Sequence, residues 1–590
     1  MGYDLRPQTD VSDLGEALRG YGAISAHLSE HLKAREGNAD ARTVLAIECY
    51  PGVDEGEVLT GLVEPLEPTL VVRADDCMQD SASIQARIAD HITDDRVFGV
   101  MSHYTIDQFI DGGKLEEARA HMDAAAGLVV AVGFGAARVC EEAGFAPDVL
   151  VYADLTRWEI QLRYRRGMEN WMAGNAGEDA LRKFKRGYFF EWRMADREKR
   201  RLSDRVDYLL DTNIAGDPRM VAGEPYRAAL ARVASRPFRL VPYFDASVWG
   251  GHWMQERFGL DPEAPNFGWA FDGVPEENSI LLGFSGAQIE VPAVNVVFAH
   301  PDELLGPKVH ARFGAEFPIR FDYLDTMGGG NLSLQVHPLV EYAQDRFGMH
   351  YTQDESYYIL DSSEESCVYL GVKDGVDKDD LVADLKRAER GEAPFDDERF
   401  VNRFPVKKHD HVLIPAGTIH CSGPGTVVLE ISATPYIFTF KLWDWGRVGL
   451  DGLPRPVHIG HGRQNIQMSR NMEFCEEHLL DRVDAPHGNL SDQEGVRSER
   501  TGLHELEFIE TRRHWFRGSV RLECHGSVNM LNLVEGERAV VESEDGSFAP
   551  FEVSYGETFI VPESVGAYTV RNAGNPEREV ALIQAFVRNL

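Results

Sequence analysis

The sequence predicts a multidomain protein in which an α/β domain with a mostly parallel sheet precedes two mainly-β barrels. The chain has 590 residues, which at about 100–200 residues per domain indicates three or so domains. Up to about residue 236, apolar strands alternate with amphipathic helices, a pattern typical of a parallel sheet covered by helices. From about residue 237, strands are short, Gly and Pro turns are frequent and helices are scarce, as in antiparallel barrels. We therefore expect domains over 1–236, 237–484 and 485–590.

Five apolar runs predict the strands of the first domain. They are RTVLAIECY (42–50), TLVVRADD (69–76), DRVFGVMSH (95–103), AGLVVAVGFGAA (126–137) and DVLVYADLT (148–156). Helical patterns follow some of these runs, and they occupy 83–92, 114–126 and the basic, aromatic stretch 181–202.

The carboxyl-terminal part predicts a linker and then a second β barrel. The polar segment at 485–502 has the composition of a linker. After it come four β-rich runs, SVNMLNLVEG, RAVVESEDG, ETFIVPES and AYTVRN. No cluster of histidines accompanies them, so we expect this barrel to bind no metal.

The composition argues against nucleic acid and anionic membranes as partners. The formal net charge of −36 disfavours nucleic acid, whose phosphates need clustered Lys and Arg, and docking on anionic lipid. Seven scattered cysteines without a CxxC pair suit a reducing compartment. The start MGYDLRPQTD has no signal-peptide pattern, and no apolar stretch of about 18 residues predicts a membrane span. We expect a cytoplasmic protein, and oligomerisation stays open.

Four polar residues in the second domain form a candidate metal site. NLSLQVHP (331–338) alternates as a strand, which places Gln335 and His337 on one face. Glu355 begins a following strand, and His420 follows a Pro-Ala-Gly turn. Two imidazoles, a carboxylate and an amide oxygen suit zinc or another borderline divalent ion. A lone histidine on a strand is more often a packing residue, so the prediction depends on the whole set.

These segments resemble the class I mannose-6-phosphate isomerases, which are zinc cupins. LSLQVHP, DESYYIL and IPAGTIH are similar to the family's ligand segments, and TVVLEISATPYIFTFKLWDWGR (426–447) to its Glu-Ile strand and Asp-Trp-Gly-Arg signature. YFDASVWGGHWMQERFG (243–259) resembles the family's Trp-Gly-Gly start. The resemblance covers about 240–590 and implies two cupin (jelly-roll) barrels, with one Zn²⁺ per chain held by Gln335, His337, Glu355 and His420.

The resemblance also implies a reaction and the residues that perform it. The family interconverts mannose 6-phosphate and fructose 6-phosphate through an enediol, so a small sugar or sugar phosphate is the expected partner. Glu430, Lys441 and Arg447 match positions that imply catalytic roles, and Ser333 and Lys441 positions that imply substrate binding. Glu430 is equally well interpreted as a structural acid.

The phosphate-binding positions depart from the family. Asp322 and Gln353 stand where the family has lysines, and Lys441 stands where it has arginine. The absence of each charged hydrogen bond weakens phosphate binding by about 1.5–3 kcal/mol. Two alternatives therefore stay open: an isomerase of a different or unphosphorylated sugar, and a non-catalytic sugar-sensing protein.

The first domain resembles a nucleotide kinase of the uridine-kinase type. LAIECYPGVDEG (45–56) lies where such kinases carry the phosphate loop, and YADLTRWEIQLRYRRG (152–167) is similar to the segment that supplies lid arginines. The turn at 51–56 has no Lys and contains two acids, so it lacks the GxxxxGK[ST] pattern that cradles phosphate. We expect a degenerate P-loop-kinase-like domain that serves regulation, sensing or assembly.

Overall fold

The computed structural model describes residues 2–35, 42–433, 436, 438–450, 452, 455–502 and 507–588. The chain folds into two compact units. The α/β unit comprises Gln8–Val233 and Ser279–Ala299, and the β unit comprises Met1–Pro7, Ala234–Asn278 and His300–Leu590. The predicted three-domain division at 236 and 484 stays a prediction.

The strands of the described residues are named here in chain order. Up to residue 292 they are β1 Gln8–Asp10, β2 Ala17–Arg19, β3 Arg42–Cys49, β4 Leu70–Arg73, β5 Gly127–Gly133, β6 Val149–Asp154, β7 Tyr208–Asp211, β8 Arg219–Ala222, β9 Tyr243–Asp245, β10 Trp269–Gly273, β11 Ser279–Gly283 and β12 Gln288–Pro292. From residue 320 they are β13 Arg320–Asp325, β14 Leu334–Val336, β15 Glu355–Ser362, β16 Cys367–Val372, β17 Val401–Pro405, β18 His411–Ile414, β19 His420–Ser422, β20 Thr426–Ser432, β21 Phe440–Trp443, β22 Leu480–Asp481, β23 Val496–Thr501, β24 Ile509–Phe516, β25 Ser519–Glu523, β26 Asn529–Glu535, β27 Arg538–Ser543, β28 Phe551–Ser554, β29 Thr558–Val561, β30 Ala567–Asn572 and β31 Val580–Val587.

The α-helices are α1 Tyr21–Arg35, α2 Glu55–Val58, α3 Ser81–Ile92, α4 Gly112–Ala124, α5 Ala136–Glu142, α6 Arg157–Arg165, α7 Ala180–Arg186, α8 Trp192–Leu202, α9 Gly223–Val233, α10 Trp253–Phe258, α11 Val294–Ala299, α12 Pro301–Leu305, α13 Pro307–Phe313, α14 Val340–Phe347, α15 Lys378–Glu389, α16 Asp397–Phe400, α17 Ile459–Asn465 and α18 Met472–Phe474. Short 3₁₀ and π-helical turns join several of them.

The α/β unit is built on a seven-stranded sheet with the order β2-β8-β7-β6-β3-β5-β4. The five strands from β4 to β7 in this order pair in parallel, and β8 and β2 add antiparallel strands at one edge. The central strands are apolar and almost wholly buried, as expected of strands with helices on both faces. The predicted parallel sheet is therefore present.

One of the five predicted strands of this unit is wrong. Residues 95–103 form no strand. The Asp95 side chain accepts from the backbone N–H groups of Val97 and Phe98, which turns the chain. The N–H groups of Val100 and Ser102 bond instead to carbonyls of His91 and Phe189. These bonds, two within the turn and its preceding helix and one to the distant Phe189, satisfy the backbone of the apolar run without a sheet partner.

The β unit contains two pairs of antiparallel sheets. The first pair consists of a seven-stranded sheet, β22-β18-β15-β20-β13-β10-β9, and a five-stranded sheet, β17-β16-β19-β14-β21. The second pair consists of a five-stranded sheet, β23-β24-β31-β26-β29, and a four-stranded sheet, β25-β30-β27-β28. A continuous buried core fills the second pair and includes Phe516, Leu531, Phe559, Tyr568 and Leu582.

The predicted linker at 485–502 is wrong in its second half. Residues 496–501 form β23, which pairs with β24 along its whole length. Val496, Ser498, Glu499 and Thr501 are buried, although the segment is polar. Buried partners explain this: Ser498 Oγ lies 2.8 Å from His514 Nδ1, and Glu499 accepts from Arg513 at 3.0 Å.

All seven cysteines lie among the described residues, and each is a free, buried thiol. Within the described ranges, none of the helices is long and apolar enough to cross a membrane. The cytoplasmic location stays a prediction.

Candidate metal centre

Strand β14 presents the first ligand segment to the space between the first pair of sheets. Gln335 lies directly opposite His420 of β19 and Lys441 of β21. Side chains directly opposite each other share one face of a sheet, so these three side chains lie on the same side. His337 follows the strand two residues after Gln335, and Glu355 opens β15 in the seven-stranded sheet. The predicted ligands therefore come from both sheets of the pair.

The four predicted ligands meet at one point. Glu355 Oε1 lies 2.7 Å from His420 Nε2, and Glu355 Oε2 lies 3.1 Å from His337 Nε2. The Gln335 amide nitrogen lies 3.2 Å from His420 Nε2. His337, Glu355 and His420 are buried, and their ligand atoms all lie within 4.8 Å of one another. This is the one group of three such side chains with metal-site spacing in the described part of the chain.

The tautomer of each imidazole follows from its outer hydrogen bond. His337 Nδ1 lies 2.8 Å from the Phe438 carbonyl, and His420 Nδ1 lies 2.9 Å from the Thr418 carbonyl. A carbonyl only accepts, so each Nδ1 carries the proton and donates it. In the neutral imidazoles, Nε2 is then a bare lone pair directed at Glu355. Such backbone contacts orient the histidine ligands of metal ions in proteins.

Two atoms at the centre of the cluster have no hydrogen-bond partner within the described ranges. His337 Nε2 and Glu355 Oε1 are buried without a hydrogen-bond partner among the described residues. Burial opposes the charge of Glu355, but the two imidazoles hold its pKa well below the ordinary value. Imidazole nitrogens that face a carboxylate at 2.7–3.1 Å need either a proton or a metal cation between them. The donor set of nitrogen and oxygen atoms fits a borderline divalent ion.

Gln353 joins the candidate ligand Glu355 to a second buried acid, Glu430. The Gln353 amide nitrogen lies 3.1 Å from Glu355 Oε2 and 3.4 Å from Glu430 Oε1, while its oxygen accepts from the Phe438 N–H at 2.9 Å. Burial, followed by the charges of Asp322 and Glu355, raises the pKa of Glu430 well above its ordinary value. A buried carboxyl group beside a candidate metal ligand is placed to take part in proton transfer.

A buried arginine lies beside Glu430 but is held by carboxylates. Asp322 lies directly opposite Glu430, and Arg320 Nε donates to Asp322 Oδ1 at 3.0 Å. Arg320 Nη1 lies 3.9 Å from Glu277 Oε1, and the guanidinium lies over the Phe271 ring. Burial also raises the pKa of Asp322. Arg320 thus pairs with Asp322 and feels the charges of Glu277 and Glu430, while its Nη1 is buried without a hydrogen-bond partner among the described residues.

The other predicted site residues lie at different distances from the cluster. Ser333 lies two residues before Gln335, and its Oγ is buried without a hydrogen-bond partner in the described ranges. Lys441 is half-buried on the same sheet face as Gln335. Arg447 donates to Asp444 Oδ1 at 2.5 Å and to the Asn331 carbonyl at 2.7 Å, so it ties its own turn to the loop before β14. The catalytic and binding roles of these residues stay predictions.

Sequence reasoning missed Tyr357. It lies two residues after Glu355 on β15 and directly opposite Glu430 on β20. Its ring lies 5.8 Å from that of His420, and its hydroxyl is buried without a partner among the described residues. The strand alternation of TQDESYYIL contained the signal, because residues i and i+2 share a face.

The fold and site together define a class: paired antiparallel sheets, the first pair of which encloses a His/Glu/His group that could hold a metal ion beside a second buried acid. Over 57% of its length, the chain is homologous to mannose-6-phosphate isomerases, and these relatives are isomerases by name. It is 24% identical over 343 residues to mannose-6-phosphate isomerase ManA of Bacillus subtilis (strain 168), of which it covers 96%. It is 26% identical over 227 residues to mannose-6-phosphate isomerase of Streptococcus mutans, and this aligned segment is 38% of this chain and 66% of the relative.

Two further similarities concern a solved structure and the first part of the chain. A solved structure of the Bacillus subtilis mannose 6-phosphate isomerase aligns with 59% of this chain and 99% of its own, with a TM-score of 0.47 and 20% identity. Residues 20–235 match a domain of unknown function, DUF8485.

Proposed function

We propose that the β unit is a zinc-dependent aldose–ketose isomerase, with the interconversion of mannose 6-phosphate and fructose 6-phosphate as the first candidate reaction. The convergence of two imidazole Nε2 atoms on Glu355, beside Glu430, is the observation that carries the proposal. The homology to mannose-6-phosphate isomerases supports it.

Zinc is the metal that the donor set supports. His337 and His420 offer Nε2, and Glu355 offers a carboxylate, a combination that zinc accepts in catalytic sites. Gln335 completes the set if its amide is turned by 180°, which places the oxygen where the nitrogen now lies near His420. Amide oxygen and nitrogen are exchanged by such a flip without other change.

The reaction moves one proton between neighbouring carbons. A base removes the proton from C2 of the aldose, an enediol forms as the hydroxyl protons rearrange, and the proton returns at C1 to give the ketose. A divalent ion in the site would stabilise the negative charge that develops on the sugar oxygens. Glu430 is the proposed acid/base, because its buried carboxyl group adjoins the ligand Glu355 through Gln353. Lys441, Arg447 and Ser333 are the proposed substrate contacts.

The fold proposed for each sheet pair is a cupin barrel. Two facing antiparallel sheets in each pair support this assignment. The second pair would bind no metal, since its described residues contain no cluster of three His, Cys, Asp or Glu with metal-site spacing.

The α/β unit is proposed to be a degenerate relative of nucleotide kinases. Its parallel order β4-β5-β3-β6-β7 supports this, and the acids at 54–57 argue against triphosphate binding.

A second candidate is the isomerisation of an unphosphorylated sugar. The neutral amide of Gln353 lies in hydrogen-bond contact with Glu355, and Arg320 is engaged by Asp322. Neither residue supplies an uncommitted positive charge to a phosphate. Without such a charged hydrogen bond, the binding of a phosphate group is weaker by about 1.5–3 kcal/mol.

Turnover of two substrates separates these candidates. Purified full-length protein loaded with zinc is incubated with mannose 6-phosphate or with mannose, and the ketose formed is followed by NMR. Fructose 6-phosphate supports the first candidate, and fructose from mannose alone supports the second. If neither ketose forms while either sugar binds in calorimetry, the catalytic proposal is wrong and the sensing alternative stands.

A further inference from the structure

One buried tyrosine hydroxyl beside the candidate metal centre has no partner within the described ranges. The Tyr357 side chain is 0% exposed, and its Oη is without a hydrogen-bond partner there. Three other described tyrosines of the β unit are equally buried, and each of their hydroxyls is hydrogen-bonded inside the unit: Tyr323, Tyr358 and Tyr568. An unsatisfied buried hydroxyl lowers stability, so the one at Tyr357 calls for an explanation other than the fold.

Tyr357 belongs to the sheet face that carries the candidate metal ligand Glu355. The two residues lie two apart on β15, so their side chains share one face of the strand. Glu430 lies directly opposite Tyr357 on β20, and its carboxyl group shares that face. From the facing sheet, the His420 ring lies 5.8 Å from the Tyr357 ring. Tyr357 therefore lies in the same interior as the candidate ligands and the proposed acid/base.

The two carboxyl groups nearest to Tyr357 along the sheet have other partners. Glu355 faces the two imidazoles at 2.7 and 3.1 Å. Glu430 Oε1 lies 3.4 Å from the Gln353 amide nitrogen. A phenol hydroxyl keeps its proton at neutral pH and can donate it to an acceptor. The Tyr357 hydroxyl is therefore a donor that remains for a ligand entering this interior.

Tyr357 is no more enclosed than the candidate metal ligands. The side chains of His337, Glu355 and His420 are 0% exposed as well. A sugar that reaches these ligands has to displace the groups that cover them, and it then lies beside Tyr357 on the same sheet face. Burial therefore does not separate the tyrosine from the site.

We propose that the Tyr357 hydroxyl donates a hydrogen bond to the sugar oxygen that gains negative charge as the enediol forms. This inference rests on the proposed isomerase function. When the base removes the proton from C2 of the open-chain aldose, the electron pair of that C–H bond forms the C1–C2 double bond, and the carbonyl electrons move to the oxygen on C1. Tyr357 keeps its proton and exchanges no bond. A buried donor fixed at this oxygen stabilises the charge that develops there.

Removal of the hydroxyl distinguishes this role from a structural one. If Oη had a partner inside the protein, Tyr357→Phe would lose that hydrogen bond and would be less stable. Because Oη has no partner among the described residues, the variant should unfold at the same urea concentration as the parent or at a higher one. The reason is that it no longer buries an unsatisfied polar group.

Tyr358→Phe is the matched control, since the two tyrosines are neighbours on β15 and equally buried. Tyr358 Oη lies 2.8 Å from His409 Nδ1, on the opposite face of the strand. This variant should raise the equilibrium constant of unfolding roughly fivefold, which is the loss of one hydrogen bond. Its kcat should equal that of the parent.

The full-length parent and both variants are compared by urea unfolding in EDTA, zinc content and steady-state kinetics with mannose 6-phosphate and mannose. Tyr357→Phe should keep zinc and lower kcat about 100-fold, the effect of removing one donor to a developing oxyanion. Its KM should change little, because the hydrogen bond strengthens only in the transition state.

The inference is overturned if Tyr357→Phe keeps the kcat of the parent, if it unfolds at a lower urea concentration or loses zinc, or if Tyr358→Phe loses as much kcat. An active parent with an equally active Tyr357→Phe variant refutes this inference alone. If the parent forms no ketose from either sugar, the isomerase proposal is wrong, and the role of Tyr357 is refuted with it.

Discussion

Replacing His337 by alanine should remove the response of the β unit to zinc. In the parent, zinc at a hundredfold excess over its dissociation constant adds about 2.7 kcal/mol to the free energy of unfolding. The shift is roughly 2–4 °C per kcal/mol for a domain of about 150–250 residues and smaller for a larger unit, so the unfolding temperature of the parent should rise by about 3–5 °C. His337→Ala removes one of three clustered ligands, so that rise should disappear along with bound zinc.

His411→Ala is the matched control for this substitution. His411 is equally buried in the same sheet pair, but its Nε2 lies 2.8 Å from Ser356 Oγ, on the opposite face of β15 from Glu355. Its loss should lower stability with and without zinc by the same amount, about 2–5 kcal/mol for a buried large-to-small change. The zinc response of this variant should equal that of the parent.

Differential scanning calorimetry with zinc or with EDTA, together with elemental analysis of the purified protein, measures both quantities. Glu355→Gln keeps the shape of the side chain and removes its charge, so it replaces His337→Ala in this test if that variant does not fold. A zinc-dependent rise in unfolding temperature that survives in His337→Ala, or that vanishes in His411→Ala, refutes the assignment of the metal centre.

Three further predictions concern the acid, the phosphate contact and pH. Glu430→Gln should keep zinc but lower kcat at least about 100-fold, since it removes the proposed acid/base; unchanged kcat with either sugar contradicts that role. Gln353→Lys should lower KM for mannose 6-phosphate about tenfold by adding a charged contact, with no effect on mannose, whereas Gln344→Lys on the exposed face of α14 should change neither. Burial lowers the pKa of His411 to about 3 and of His514 to about 4. Below about pH 6.5 the unfolded state binds a proton at each histidine and the folded state does not, so each histidine should lower the free energy of unfolding by about 1.4 kcal/mol between pH 7.5 and pH 5.5. Urea unfolding at the two pH values measures this loss, and His514→Gln should remove its share of the pH dependence.

The grouping of Gln335, His337, Glu355 and His420 was predictable because its signal is local, and their role as metal ligands stays a prediction. Gln335 and His337 alternate on one strand, and the turn before His420 has a recognisable composition. The partners of Glu430 were not predictable, since its contact through Gln353 and its position opposite Asp322 arise from the register of separate strands. Sequence determines register only through the complete pattern of buried faces.

The two wrong local predictions have physical reasons of the same kind. Residues 95–103 are apolar enough for a strand, but the Asp95 side chain offers the backbone a competing turn. Residues 496–501 are polar enough for a linker, but the partners of Ser498 and Glu499 on β24 offset the free-energy cost of their burial. In both places hydrogen bonds of polar side chains, which the hydrophobic pattern does not reveal, decided the outcome.

The α/β unit takes two of its strands and a helix from residues 279–299, far along the chain from its first segment. Asn295 donates to the Asp154 carboxylate at 2.9 Å, and the Glu290 N–H donates to Asp211 at 2.8 Å. On the ribosome, residues 8–233 therefore leave the exit tunnel before the residues that donate to the Asp154 and Asp211 carboxylates have been synthesised. At about 5–20 residues per second, the unit stays incomplete for several seconds after its first segment emerges. A nascent chain stalled before residue 279 should be digested by protease more readily than one stalled well after residue 299.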